Sequence, residues 1–413
     1  MLQSLVVLCC LVLVPGARAE AKLEAFPSGT PARGPISVVY AIYYANAPSS
    51  EPMAALKDAL VREGGTIKLV KALSKTPAEP QVEATLDPAS QNGYAPPDLQ
   101  AIQYFGRGLS REQAEAVQLS RLALVLEFAR PVDTTFASLR AADSLVLRVA
   151  EQTGGLLWDE ETREIFTPYE WRKRRIDSWR GDIPDVVKHT VIHAYQGDKL
   201  VRAITLGMRK FGLPDVVIND FPWSENRQIG NLINLLSQTL AEGGAVGQGG
   251  AMDMDLKKIR HPAAAKPDGI TLLPNASGIA RLSLYQGARE EGDPRNRLME
   301  IDFNRYPGPD RYARQTAMLS SMFGAVDTVQ MISHTDAILL ASKAAKARLP
   351  ALRRDFNAGL QPGEYIMVKA PFATPDGGRE WMWVEVSSWG DKTIAGLLKN
   401  EPKISPRCMP ARP

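Results

Sequence analysis

Cysteine is nearly missing from this chain. Of 413 residues only three are cysteine. Two of them, Cys9 and Cys10, lie inside an apolar N-terminal run, and Cys408 lies five residues from the end. A mature chain that keeps Cys408 alone has no intrachain disulfide, so its stability must come from core packing. A thiol in a proline-rich tail (Pro406, Pro410, Pro413) also lacks the structured pocket and base that a catalytic thiolate needs. Charge excess is missing too. The formal net charge is +3, which excludes the strong basic bias of a dedicated nucleic-acid binder. After the N-terminus no apolar run reaches membrane-spanning length. The sequence contains no G-x-S-x-G, no H-E-x-x-H and no P-loop. Gly243–Gly250 is glycine-rich, but it follows a helix pattern instead of opening one, so it reads as a loop and not as a phosphate cradle. Nothing calls for a cofactor or a metal.

What the chain does have is a leader. Residues 2–14 are almost continuously apolar, Pro15-Gly16 breaks the run, and Ala17-Arg18-Ala19 gives the small-x-small pattern that a signal peptidase reads. The expectation is a signal peptide over residues 1–19, cut before Glu20, with the mature protein periplasmic or secreted. The leader lacks a Lys or Arg ahead of the apolar run, a departure from the usual signal. Loss of Arg18 takes the net charge to +2.

Length and a near-average balance of apolar and charged residues predict a soluble α+β protein in more than one domain. Residues 20–35, rich in Ala, Gly, Pro and Ser, read as a linker. Three segments then share one plan of strand, helix and Gly-Gly stop. They are Val38–Tyr44 with Met53, Leu56 and Leu60 before Gly64-Gly65; Leu122–Phe128 with Asp133 as N-cap and Phe136, Leu139 and Val146 before Gly154-Gly155; and Val216–Phe221 with Ser224 as N-cap and Ile229, Leu232, Leu236 and Leu240 before Gly243-Gly244. Repeated β-α units of this kind predict mixed or antiparallel sheets packed with helices, in ferredoxin-like halves. The expected domains are 36–180 and 181–332, then a small C-terminal α+β domain over 333–407 and a tail over 408–413. Within the first, Leu156–Trp158 and Ile165–Thr167 read as a hairpin around the acidic stretch Asp159-Glu160-Glu161-Thr162. Within the second, Val186–Tyr195 and Leu200–Met208 read as two strands joined at Gln196-Gly197-Asp198. Ser333 is expected to cap a helix running to about Arg348, with Pro350 opening a further helical segment.

The C-terminal stretch reads as a hairpin. Trp381, Trp383 and Glu385 share one face of its second strand, and Met382, Val384 and Val386 the other, by the two-residue alternation of strands; Pro375-Asp376-Gly377-Gly378 is the turn. Met367-Val368-Lys369-Ala370-Pro371-Phe372, Trp381-Met382-Trp383-Val384-Glu385-Val386 and Gly396-Leu397-Leu398-Lys399-Asn400-Glu401-Pro402 together resemble the YegJ-like bacterial domain of unknown function. The resemblance covers roughly residues 335–405. It implies a bacterial, often exported protein with no assigned activity. The longer extension usual after the final proline is not seen. The positions that match the family pattern are Lys369, Trp383, Gly396 and Asn400. Their plainest roles are structural: Trp383 as a core anchor, Gly396 for a backbone position closed to other residues, Asn400 as a turn residue.

Candidate chemistry is sparse. His189 and His193 are four apart, but the flanking Val186-Val187 and Val191-Ile192 favour a strand, on which they sit about 13 Å apart, too far for one metal. His334 reads as a first-turn surface residue. The segment Trp171-Arg172-Lys173-Arg174-Arg175 is the densest basic and aromatic cluster. It reads either as a patch for anionic lipid or polyanion, or as a solvated helix face whose arginines pair with acids such as Glu160 and Glu161. The leading expectation is a non-catalytic exported protein that binds an envelope protein or ligand, with no nucleic acid and no transmembrane segment after cleavage. The alternatives are a hydrolase acting on an envelope polymer, built on Asp159, Glu161 or Asp253 and a histidine, and an immunity or stress-response module.

Overall fold

A computed structural model describes residues 23–90, 93–132, 136–196, 200–265, 272–273, 275–324, 336–360, 364–373, 379–391 and 393–399. The leader, Asp133, the 197–198 turn, Ser333, His334, the 375–378 turn, Asn400 and Cys408 lie outside the described residues. The protein is α+β, with both helices and strands substantial and three sheets.

The chain first runs β1 (Ile36–Tyr44), α1 (Pro52–Arg62), β2 (Lys68–Leu69), β3 (Gln81–Pro88), α2 (Leu99–Phe105), β4 (Gly106–Arg107), α3 (Arg111–Val117), β5 (Leu122–Arg130), α4 (Ala137–Thr153), β6 (Leu156–Asp159) and β7 (Glu164–Phe166). These strands make one sheet in the order β2-β3-β5-β1-β6-β7-β4. Its centre, β3-β5-β1-β6, is antiparallel throughout. β1 and β3, joined through α1, therefore run parallel with β5 between them; β5 and β6, joined through α4, run parallel with β1 between them. The first two β-α units thus interleave as the split βαβ pair of a ferredoxin-like sheet. Strand alternation sends Tyr40, Ile42 and Tyr44 toward α1 and α4, and Ala41 and Tyr43 toward Ile102 of α2 and Val117 of α3. Gly154 ends α4 in the left-handed conformation, at φ 79°.

α5 (Pro168–Trp171) leads into a π-helical turn, Arg172–Ile176, and then α6 (Val186–His189), β8 (Val191–Gln196), β9 (Val201–Leu206) and β10 (Asp215–Phe221). The strand expected from Val186 therefore starts five residues later, because 186–189 forms a helical turn instead. α7 (Asn226–Ala241), β11 (Ala251–Asp255), α8 (Pro262–Ala265), β12 (Ile279–Gln286), β13 (Leu298–Asp302) and α9 (Arg311–Phe323) follow. The second sheet has the order β11-β12-β13-β10-β9-β8, with β10 and β13 parallel. The third β-α unit belongs here. Ile229, Leu232, Leu236 and Leu240 of α7 and Met318, Leu319 and Met322 of α9 bury against Val216, Ile218, Leu282, Leu284 and Ile301. Phe136 and Leu139, at the start of α4, enter the same core and join the two sheets. The segment expected as a linker is bonded to the second sheet: Ala25 bridges Tyr285, Gly29 bridges Val246, and the Arg33 amide donates to the Gly212 carbonyl at 2.9 Å. Gly212 holds φ 69°, and a Cβ there would lie 2.8 Å from the Arg33 carbonyl, so only glycine admits this approach.

α10 (Asp336–Ala358) is continuous, with Pro350 inside it instead of opening a second helix. Proline removes one backbone donor, and the turns on both sides carry the helix through. β14 (Met367–Ala373), β15 (Arg379–Trp389) and β16 (Ile394–Leu398) form an antiparallel sheet, with Met382, Val384 and Val386 buried. Among the described residues no helix is long and apolar enough to cross a membrane.

Candidate functional site

The basic segment divides once it folds. Arg172 pairs with Glu151 at 2.6 Å, and Lys173 and Arg174 lie 3.5 and 3.7 Å from Glu170, all at the surface or partly so. Arg175 turns inward and is fully buried. It is no part of a surface patch, and Glu160 and Glu161 are not its partners. Its Nη2 donates to Asp159 at 2.8 Å and to Glu164 at 3.1 Å, its Nη1 donates to the Lys188 carbonyl, and its guanidinium lies 4.8 Å from the Phe166 ring centroid. The π-helical turn supplies this rotation, because one wider turn re-aims a side chain that a regular helix would leave on the same face as Arg172.

Around Arg175 lies a sealed charged cluster. Lys210, equally buried, reaches Asp159 at 2.5 Å. Burial works against the Asp159 carboxylate, but Lys210 and Arg175 outweigh it and hold the group below the usual carboxylate range. Asp143 has the opposite balance: burial raises it to about 7, against the pull of Lys210 and Arg175. Tyr40 donates to one Asp143 oxygen at 2.8 Å. The other oxygen lies 3.8 Å from His189 Nδ1, too long for a hydrogen bond, and both ring nitrogens of His189 lack a partner. Burial, then the nearby Arg175 and Lys210, push the imidazole well below its ordinary value, so it is neutral. Trp179 and Phe211 meet it edge-on at 5.5 and 5.7 Å.

This cluster brings an acid beside a histidine, the pairing a hydrolase requires, but shuts both from solvent. A general acid or base must come within about 3 Å of a substrate proton, and Tyr40, Asp143, Asp159, Arg175, His189 and Lys210 are each no more than marginally exposed. The remaining hydrolase candidates stand apart. Glu161, raised to about 7 by burial, faces Arg209 at 4.0 Å. Asp253 lies on the surface 3.9 Å from Arg305. His193 stacks on Phe105, and His261 is bonded to the Ser178 carbonyl at 3.0 Å. Among the described residues no three His, Cys, Asp or Glu side chains are placed to hold a metal.

The C-terminal sheet presents a different kind of surface. Lys369 pairs across the ladder with Trp383, and its ammonium lies 5.6 Å from that ring's centroid. Pro371 pairs with Trp381 on the same face. Trp383 is 45% exposed and Trp381 39%. Trp383 is therefore not the core anchor expected of it. The apolar packing goes to the other face, and on its own face the strand is covered only further along, at Glu385. There Ser224 donates to Glu385, while Lys399 reaches Glu225 at 2.7 Å and Glu385 at 4.0 Å. These contacts fasten the sheet to the start of α7. Ser224, expected as an N-cap, spends its hydroxyl on Glu385, and Glu225 takes the N-cap position. Gly396 is required where it stands: a Cβ would lie 2.2 Å from the Glu385 carbonyl. Lys399 and Glu225 are site residues that no local pattern marks; the Lys399 amide donates to the Trp383 carbonyl at 2.9 Å, a cross-strand register that only the fold sets.

No protein-family model, no curated protein and no solved structure matches the chain.

Proposed function

We propose that the chain is an exported binding protein of the bacterial envelope that acts without catalysis and docks a protein partner on the face of Lys369, Trp381 and Trp383. One observation carries this reading: two tryptophans lie exposed side by side on a sheet face with a lysine over one of them. Exposed aromatic anchors beside a cation are the composition of binding hot spots. The ion pairs of Lys399 and the Ser224–Glu385 bond hold that face on a fixed support, which reduces the ordering cost of binding. Export to the periplasm or beyond is supported by the apolar leader and Ala17-Arg18-Ala19. The YegJ-like resemblance, which includes Lys369 and Trp383, fits an exported protein without assigned chemistry.

The test is photo-crosslinking from a probe at position 379, exposed beside the tryptophans on the same strand face, in envelope extract, followed by capture of the crosslinked species with the chain that keeps both tryptophans and with W381A/W383A. The reading expects a discrete partner that the double variant loses while its melting temperature holds. No partner above background, or equal capture by the variant, would sink it.

A further inference from the structure

A second site lies where the N-terminal segment crosses the second sheet. Phe26, Pro27, Arg33, Arg289, Arg297 and Leu298 are among the residues lining an open cavity of about 470 Å³. Its three arginines come from two segments, Arg33 from the N-terminal one and Arg289 and Arg297 from the β12–β13 connection, yet among the described residues none has a carboxylate within 4.0 Å. Two of them are fixed in position. Arg297 donates to the Pro31 and Gly212 carbonyls, each at 2.8 Å, and Arg289 donates to the Asn296 carbonyl at 2.8 Å. Carbonyls orient a guanidinium but do not neutralise it. Burial, and then the charge of Arg33, weaken the hold of Arg297 on its proton. Three buried or half-buried arginines elsewhere have acids: Arg175 has Asp159 and Glu164, Arg202 has Asp293, Arg311 has Asp302. The arginines of the cavity differ from these three.

We infer that this cavity binds a small phosphate monoester, its phosphate meeting Arg33, Arg289 and Arg297 and its apolar body lying against Phe26, Pro27 and Leu298. A phosphate monoester carries close to two negative charges at neutral pH, and guanidinium forks match its oxygens. A monocarboxylate offers one charge to three cations. The concave, partly apolar wall fits a small molecule better than a flat membrane surface. The site is separate from the tryptophan face and does not depend on it.

The experiment is calorimetric titration of the full chain with phenyl phosphate, with benzoate and phosphatidylglycerol vesicles as further arms. The expected result is saturable binding of phenyl phosphate at one site per chain, benzoate markedly weaker, and an affinity that falls with salt. Arg33 and Arg289 are exposed, so R33Q/R289Q keeps the fold; it is expected to bind phenyl phosphate about tenfold or more weakly with an unchanged melting temperature. Absent saturation, equal affinity in the double variant, equal binding of benzoate, or binding of vesicles without phenyl phosphate would each overturn the inference.

Discussion

Arg175 and Lys369 each place a cation over an aromatic ring, and the two sites use the pair in opposite ways. At Arg175 the rings of Phe166 and Trp171 are fully buried, two carboxylates complete the charge balance, and nothing is left for a ligand. At Lys369 the ring of Trp383 is nearly half exposed. The same chemistry is therefore structural where acids surround it and water is excluded, and available for recognition where the sheet face stays open. Cation and aromatic composition does not distinguish the two; burial does.

The strongest way to break this comparison is to remove the inner cation. Arg175→Met keeps volume but leaves Asp159 and Glu164 buried with less compensation. Stripping one partner from a buried pair costs about 3–5 kcal/mol, and chemical denaturation is expected to register a loss of that size. A loss below about 1 kcal/mol, the range of exposed pairs, would mean that the junction is wetter than its burial indicates.

Asp143 sharpens the inner site through pH. Its folded carboxyl is raised to about 7 from an ordinary 3.8. Across that window the folded protein holds a proton that the unfolded chain has released, so this group's contribution falls as pH rises toward 7. His189 acts with the opposite sign: its folded form resists protonation, so its contribution is lost as pH falls below 6.5. Asn at 143 cannot titrate and still accepts from Tyr40. Asp143→Asn is therefore expected to gain stability relative to wild type between pH 5 and pH 8, measured by urea midpoints at each pH. Raised Asp215 and Glu161 titrate in both proteins and cancel in the difference. A difference that does not change with pH would remove Asp143 from the account.

The outer site is sharpened by loosening its support. Lys399→Met leaves Glu225 and Glu385 near each other without their shared cation. Hydrogen bonds to charged groups contribute about 1.5–3 kcal/mol, and the expected loss lies at the low end because Lys399 is partly solvated. Amide exchange is expected to quicken in β15 and β16 while β1 and β5 keep their protection. Equal quickening everywhere would show that the C-terminal sheet unfolds only with the rest.

Much of the fold was legible because strands and helices announce themselves over short windows. Val38–Tyr44, Leu122–Phe128 and Val216–Phe221 are apolar runs, and Gly154 marked the end of α4 within a residue. Gln81–Pro88 was hidden by its Glu83, Asp87 and terminal proline, although it completes the first split unit. The sites were harder, because their partners are far apart in sequence. Asp159 and Thr162 look like a solvated acidic turn, yet both are buried, since Lys210 and Arg175 arrive from elsewhere to meet them. Likewise nothing local joins Arg33 to Arg289 and Arg297. Trp383 was misjudged for the converse reason: a strand face reveals its alternation but not which side finds a cover.

Arg172 supplies the smallest effect and the most direct control. It stands three residues before Arg175 in the same basic run, with the same side chain and a carboxylate at 2.6 Å from Glu151. Both partners, however, are more than two-fifths exposed. Water and salt screen such a pair, and its net value is about 0–1 kcal/mol. Arg172→Ala is therefore expected to shift the denaturation midpoint barely, and less still at high salt. Side by side with Arg175→Met it compares an exposed with a buried arginine of one basic run, the buried one having two carboxylates and a carbonyl where the exposed one has a single carboxylate. If the two substitutions cost the same, burial is not what separates the inner site from the surface, and the tryptophan face loses its claim to be distinctive.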